Sequence, residues 1–161
     1  MKANLYEPDF DDGSQRAGFS YRDAWLGMQA GAERLGASLY EIEPGQTTFP
    51  YHWHAGNEEM LMVLSGRLEL RTPEGTREVA EGDLVAFPRG ERGAHQLVNR
   101  GSEPARFMVI SEMNRPDICV YPDSGKVGAR ERTPGTGEGL RLNFRGSDAV
   151  DYWDGEEPPA P

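Results

Sequence analysis

From about Leu35 onward, apolar residues recur at every second position in short runs, which is the period of a strand with one face buried. The runs at 39–42, 59–64, 67–71, 77–80, 84–87, 94–99 and 105–111 are each bounded by Gly, Pro, Asn or Glu and predict strands. Leu68 and Leu70 fall on one face of such a strand, while Arg67, Glu69 and Arg71 fall on the other. Thr72-Pro73-Glu74-Gly75 between two runs has Pro at the second turn position and Gly at the fourth, the signature of a hairpin turn. By parity Leu61, Val63, Val85, Phe87 and Leu97 line the interior. Met60, Met62 and Leu64 form an apolar row on the opposite face that fits another sheet or a second subunit. The pattern predicts an antiparallel sandwich or barrel.

The flanks are patterned differently. Residues 1–32 form an acidic arm, within which 21–30 is expected to be a short helix carrying Trp25, Leu26 and Met28. The stretch 113–139 is rich in Gly, Pro and charge and too long for an ordinary connection, so it is expected to fold over the core as a flap or partner contact. Alternation returns at 140–144, and the tail from Asp151, with four acids and no basic residue, is expected to fray. These shifts divide the chain into an arm (1–32), a barrel core (33–112) and an extension (113–161).

Composition narrows the picture. The length of 161 residues suits one domain. Twenty glycines and twelve prolines favour many turns over a helical bundle. A net charge of -10 repels nucleic acid. No apolar run approaches the roughly 20 residues of a membrane span. A single cysteine, Cys119, and no secretory leader pattern lead us to expect a reducing, cytoplasmic setting. Cys119 has no histidine near it in sequence and reads as an inert buried thiol.

Two of the three histidines form His52-Trp53-His54, and residues two apart in a strand face the same way. By spacing alone the pair reads either as two surface histidines or as two converging nitrogen donors. Glu59, separated from His54 by four residues and at the head of an apolar run, offers a carboxylate, and His95 lies on another predicted strand. Three imidazoles and a carboxylate from separate strands form a plausible ligand set for a divalent transition metal, with positions left open for substrate or water.

The surrounding residues resemble the two motifs of the cupin superfamily. Gly45, His52, His54, Glu59 and Gly66 match the first, although six residues instead of five separate Gly45 from His52. Gly82, Pro88, Gly90, His95 and Asn99 match the second, although four residues instead of two separate Gly90 from His95, lengthening that turn. Every histidine in the chain falls on a ligand position. The resemblance implies an all-β fold, a single double-stranded β-helix (jelly-roll-like) barrel with an N-terminal arm and a C-terminal extension. It implies His52, His54, Glu59 and His95 as metal ligands. Glu58 competes with Glu59, but only Glu59 keeps six residues before Gly66 and shares the face of Leu61 and Val63.

The resemblance further implies one divalent transition metal (Fe, Mn, Zn or Ni), no organic cofactor, a small-molecule ligand in the barrel and a homodimer. The catalytic residues are unknown. Tyr121-Pro122-Asp123-Ser124-Gly125-Lys126-Val127 resembles a stretch in single-domain bacterial cupins labelled, by similarity, as sugar-phosphate isomerases. That activity needs a basic phosphate site, for which Lys126 and Arg106 are the candidates, each reading equally as an exposed surface charge. An apolar lining instead favours a dioxygenase-type enzyme. A non-catalytic binder or sensor in the same cavity, or a metal that only staples strands, are the other readings. Asn99 reads as a structural hydrogen-bond partner, and Tyr51 and Gln96 as surface residues or polar contacts to a ligand.

Overall fold

The inward turn of alternate side chains builds the core of this computed structural model, which describes residues 2–131 and 139–159. Leu68 and Leu70 in β6 (Arg67–Thr72) are buried, as are Leu61 and Val63 in β5 (Glu59–Ser65). They pack with Ile42 from β3 (Leu35–Ile42), Phe87 from β8 (Leu84–Phe87), Leu97 from β9 (Gln96–Val98) and Phe107 from β10 (Ala105–Glu112). Burying each such side chain contributes about 1.5–3 kcal/mol. The opposite face of β6 carries Arg67, Glu69 and Arg71, which form ion pairs with Glu78, Arg100 and Asp123.

The remaining strands are β1 (Asp12–Arg16), β2 (Phe19–Ala24), β4 (Trp53–His54), β7 (Gly75–Ala80), β11 (Asp117–Tyr121), β12 (Lys126–Arg130) and β13 (Arg141–Arg145). One sheet has the order β1-β2-β3-β10-β5-β8, a second β13-β12-β11-β4, and a third β7-β6-β9. Among the described residues all the pairings are antiparallel, and the chain has the expected all-β barrel architecture. The hairpin at Pro73-Glu74 joins β6 to β7 with Thr72 opposite Gly75.

The helix expected over 21–30 forms only over its second half, as α1 (Leu26–Ala30). Residues 19–24 are strand because Arg22, Asp23 and Ala24 pair with Glu41, Tyr40 and Leu39 of β3, a non-local ladder that outweighs local helix propensity. The acidic arm is tied down here as well. Asp11 accepts hydrogen bonds from the Trp25 backbone N–H (2.7 Å) and the Gln29 side chain (2.8 Å). Leu5, Phe10, Leu64 and Met108 all pack against the buried cluster of Ala24, Leu26 and Leu39, so the Leu64 end of the outer row is partly buried within this chain, while Met60 stays 41% exposed.

The sheets reach past residues 33–112 on both sides. Within the stretch expected to act as a flap, β11 and β12 form a hairpin that pairs with β4; the 132–138 part of that stretch lies outside the described residues. Among the described residues no helix is long and apolar enough to cross a membrane.

Candidate metal centre

His52 and His95 face each other across an isolated antiparallel bridge, in which each backbone N–H donates to the other's carbonyl at 3.2 and 2.9 Å. The turn before His95 takes up its extra residues as a short 3-10 turn, Glu91–Gly93. Gly93 is obligatory there, since a Cβ would lie 1.8 Å from the Pro88 carbonyl oxygen. His54, in β4, pairs with Cys119 of β11, and Glu59 opens β5 opposite Phe87 of β8 and Ser111 of β10. Three separate strand systems thus bring the four residues singled out from the sequence to one place.

Ligand atoms of His52, His54 and Glu59 lie within 4.8 Å of one another. Nε2 of His54 and Nε2 of His95 each stand 3.5 Å from the same Glu59 oxygen. The His52 ring lies 5.0 Å from that of His54 and 4.7 Å from that of His95, centre to centre. Each imidazole is oriented from behind: Nδ1 of His52 meets the Pro50 carbonyl at 2.9 Å, Nδ1 of His95 the Gly93 carbonyl at 2.9 Å, and Nδ1 of His54 the Asp117 carboxylate at 2.5 Å. A proton on Nδ1 leaves the Nε2 lone pair as the available donor. Flat stacking of Phe87 on His95 (3.8 Å) and of Tyr121 on His52 (5.8 Å) further fixes two of the rings.

Burial, reinforced by neighbouring histidines, pushes His52 down to about 3; burial likewise pushes His95 down to about 4, and both are neutral at ordinary pH. Burial also works against a proton on His54, but hydrogen bonds to Asp117 and Cys119 and the Glu59 charge push it up to about 11. Burial raises Asp117, yet the His54 partner and the Gly56 N–H (2.9 Å) outweigh it and hold the carboxyl at about 2. The donor set fits a divalent cation: neutral imidazoles beside a carboxylate, with an acid-rich side that already stabilises positive charge at His54.

Glu58 is exposed, unlike Glu59. Cys119 is buried as expected, but it does have a histidine partner: its sulfur lies 3.3 Å from Nδ1 of His54, from the facing strand. Tyr51 is buried instead of exposed, beneath the Arg71 guanidinium at 4.0 Å. Arg106 is engaged by Glu41 (2.6 Å), and Lys126 sits over the Tyr121 ring (5.0 Å). Neither lines the cavity of about 420 Å³ that opens beside His54 and Glu59. Among the described residues the cations that do are Arg115, Arg130 and Arg141, none of which the sequence pointed to. Arg130 and Arg141 are carried there by β12 and β13, which extend the sheet outward from β11, a register between strands that the sequence does not display.

Residues 38–111 match the Cupin domain family. A germin-like protein (subfamily 3 member 3) of Arabidopsis thaliana is 29% identical over 105 residues, 62% of this chain and 49% of that protein, so the chain spans about half the length of this curated relative. A structure from Acidithiobacillus ferrooxidans, provisionally named a sugar phosphate isomerase, is 28% identical with a TM-score of 0.75, covering 90% of this chain and 88% of that one. A cupin-superfamily structure from Silicibacter pomeroyi, named a sugar phosphate isomerase, is 26% identical with a TM-score of 0.78, covering 96% and 98%.

Proposed function

The chain belongs to the cupin superfamily through its domain at residues 38–111, and from that premise we propose that it is a metal-dependent enzyme acting on a small polar metabolite, with His52, His54, Glu59 and His95 holding one divalent transition-metal ion. The observation that carries this reading is the shared orientation of the imidazoles: every Nδ1 is engaged by the chain, while Nε2 of His54 and of His95 meet at one oxygen of Glu59. Such an ion, as Fe, Mn, Zn or Ni, supplies a Lewis acid for a carbonyl or enediol oxygen.

The chain's own residues supply the rest. Phe87 and Tyr121 keep His95 and His52 from turning, and Asp117 does so for His54. Among reaction types, isomerase-type chemistry is favoured over dioxygenation of an apolar substrate, because charged groups such as Asp23, Arg130 and Arg141 share the cavity wall with Tyr21, Tyr40 and Phe49. The names of the two bacterial relatives point to sugar phosphates as the substrate class. We place the expected homodimer contact on the outer row around Met60 and Leu84, 41% and 58% exposed.

Elemental analysis of protein purified without a histidine tag, beside a His52→Ala/His54→Ala variant, tests the reading. About one transition metal per chain, lost in a variant that keeps its β-sheet circular dichroism, is the expected result. Metal retained at one per chain in the variant overturns the ligand assignment. An intact protein free of metal overturns the enzyme reading in favour of a non-catalytic binder.

A further inference from the structure

Two atoms in the cavity wall are buried and without a hydrogen-bond partner among the described residues: Oδ1 of Asp23, an acceptor, and Nη1 of Arg130, a donor. Unpaired buried polar groups cost folding free energy, so a pair of them in one cavity calls for an explanation. The third such atom, Oε1 of Gln46, lies outside the cavity lining.

Both side chains are fixed by their other atoms. Arg130 Nη2 donates to the Tyr121 hydroxyl (2.8 Å) and to the Asn143 side-chain oxygen (3.3 Å). No ion pair between described residues involves Arg130, although the chain has twenty-seven acids against seventeen Lys and Arg. Tyr121, which holds this guanidinium, also stacks on His52, so Arg130 stands one side chain from the histidine cluster. Asp23 Oδ2 accepts from the Trp25 indole (2.5 Å), leaving Oδ1 unengaged.

Strand register pairs like charges with one another. Asp12 and Asp23 are directly paired across β1 and β2, while Arg130 and Arg141 are directly paired across β12 and β13, and all four line the cavity. The two acids and the two arginines therefore reach the cavity from different strand pairs, with His54 and Glu59 also in its lining.

We propose that Arg130 and Asp23 form a two-ended clamp that selects a hydroxylated anion: Arg130 takes a carboxylate or phosphate oxygen, and Oδ1 of Asp23 accepts a hydrogen bond from a hydroxyl group of the same molecule. The clamp rests on the proposed function only for its role beside a metal; its ligand recognition stands on Arg130 and Asp23 alone. It places phosphate recognition on the β12 arginine in place of Lys126 and Arg106.

Calorimetric titration of the intact protein with glycerol 3-phosphate, glycerate and ethyl phosphate tests it. Glycerol 3-phosphate is expected to bind roughly tenfold tighter than ethyl phosphate, which has the anion but no hydroxyls. Arg130→Gln weakens glycerol 3-phosphate by roughly tenfold or more, and Arg130→Lys restores part of the loss, having the charge without the fork. Asp23→Ala, which takes the acceptor away altogether, removes the hydroxyl advantage and spares ethyl phosphate. The comparison with glycerate tells whether the anionic end is a carboxylate or a phosphate. The Arg130 dependence persists in the His52→Ala/His54→Ala variant, so failure of the metal reading leaves this result intact. Equal affinity of the wild type and Arg130→Gln for glycerol 3-phosphate overturns the clamp, as does absence of binding of all three probes to the wild type. Should Arg130→Gln fail to fold by circular dichroism, an Arg130→Lys protein that binds as tightly as the wild type overturns it instead.

Discussion

Asp117 places its Oδ2 2.5 Å from Nδ1 of His54, a residue 63 positions earlier in the chain. His52 and His95 are oriented by neutral backbone carbonyls, whereas His54 alone is oriented by a carboxylate. That carboxylate is itself anchored by the Gly56 N–H and lies 3.6 Å from the Cys119 sulfur. A carboxylate behind an imidazole fixes its tautomer and raises the basicity of the opposite nitrogen, which sharpens it as a metal donor.

Replacing Asp117 by Asn keeps the shape and removes the charge. We expect metal affinity to fall by about 10- to 100-fold, with the barrel intact. Competition against a chromophoric chelator measures this directly, and affinity equal to the wild type removes Asp117 from any role at the metal.

The histidines are expected to give the metal-free protein a stability maximum near pH 6.5. His52 and His95 titrate at about 3 and about 4 when folded, below the unfolded value near 6.5, so the unfolded chain takes up protons first and stability falls as pH drops below about 6.5. His54 has the opposite sign: raised to about 11, its contribution is complete below about 6.5 and is lost as pH climbs toward the folded value. Asp117, held at about 2, adds a loss only below its unfolded value near 3.8. Urea midpoints of chelator-treated protein between pH 4.5 and 9 should trace a maximum, and His95→Gln should flatten its acid side. A profile that rises steadily with acidification contradicts neutral burial of these rings.

Asn99 is fully buried and shared among three backbone groups. Its amide donates to the carbonyls of Ile42 (3.0 Å) and Glu103 (2.8 Å), and its oxygen accepts from the Gly101 N–H (2.9 Å). Asn99→Ala leaves those carbonyls without a partner and should cost on the order of 2–4 kcal/mol in urea unfolding. Metal content at saturation is expected to be unchanged, because none of these bonds reaches the histidine cluster. A loss of metal with unaltered stability would reverse this assignment.

The alternation of Leu68 with Glu69 and of Leu61 with Met62 revealed the strands in the sequence, because the pleat of a strand is a relation between adjacent residues. His52 and His54 could be seen to share a direction for the same reason, and the spacing of Glu59 and His95 marked where their partners lay. The second motif's longer turn could be counted, but its resolution into a 3-10 turn closed on Gly93 could not, since it depends on the Pro88 carbonyl passing against that glycine.

The sequence by itself determined the barrel class, the inward and outward rows of its strands and the four side chains expected at the metal. Only the tertiary structure decided that residues 19–24 are strand, that Asp117 and Cys119 stand behind His54, and that Asp23 and Arg130 face one cavity. The first group follows from local backbone geometry, which repeats every second residue. The second follows from the register between distant strands, set by how the sheets close and what each then buries, and no short window of sequence contains that information.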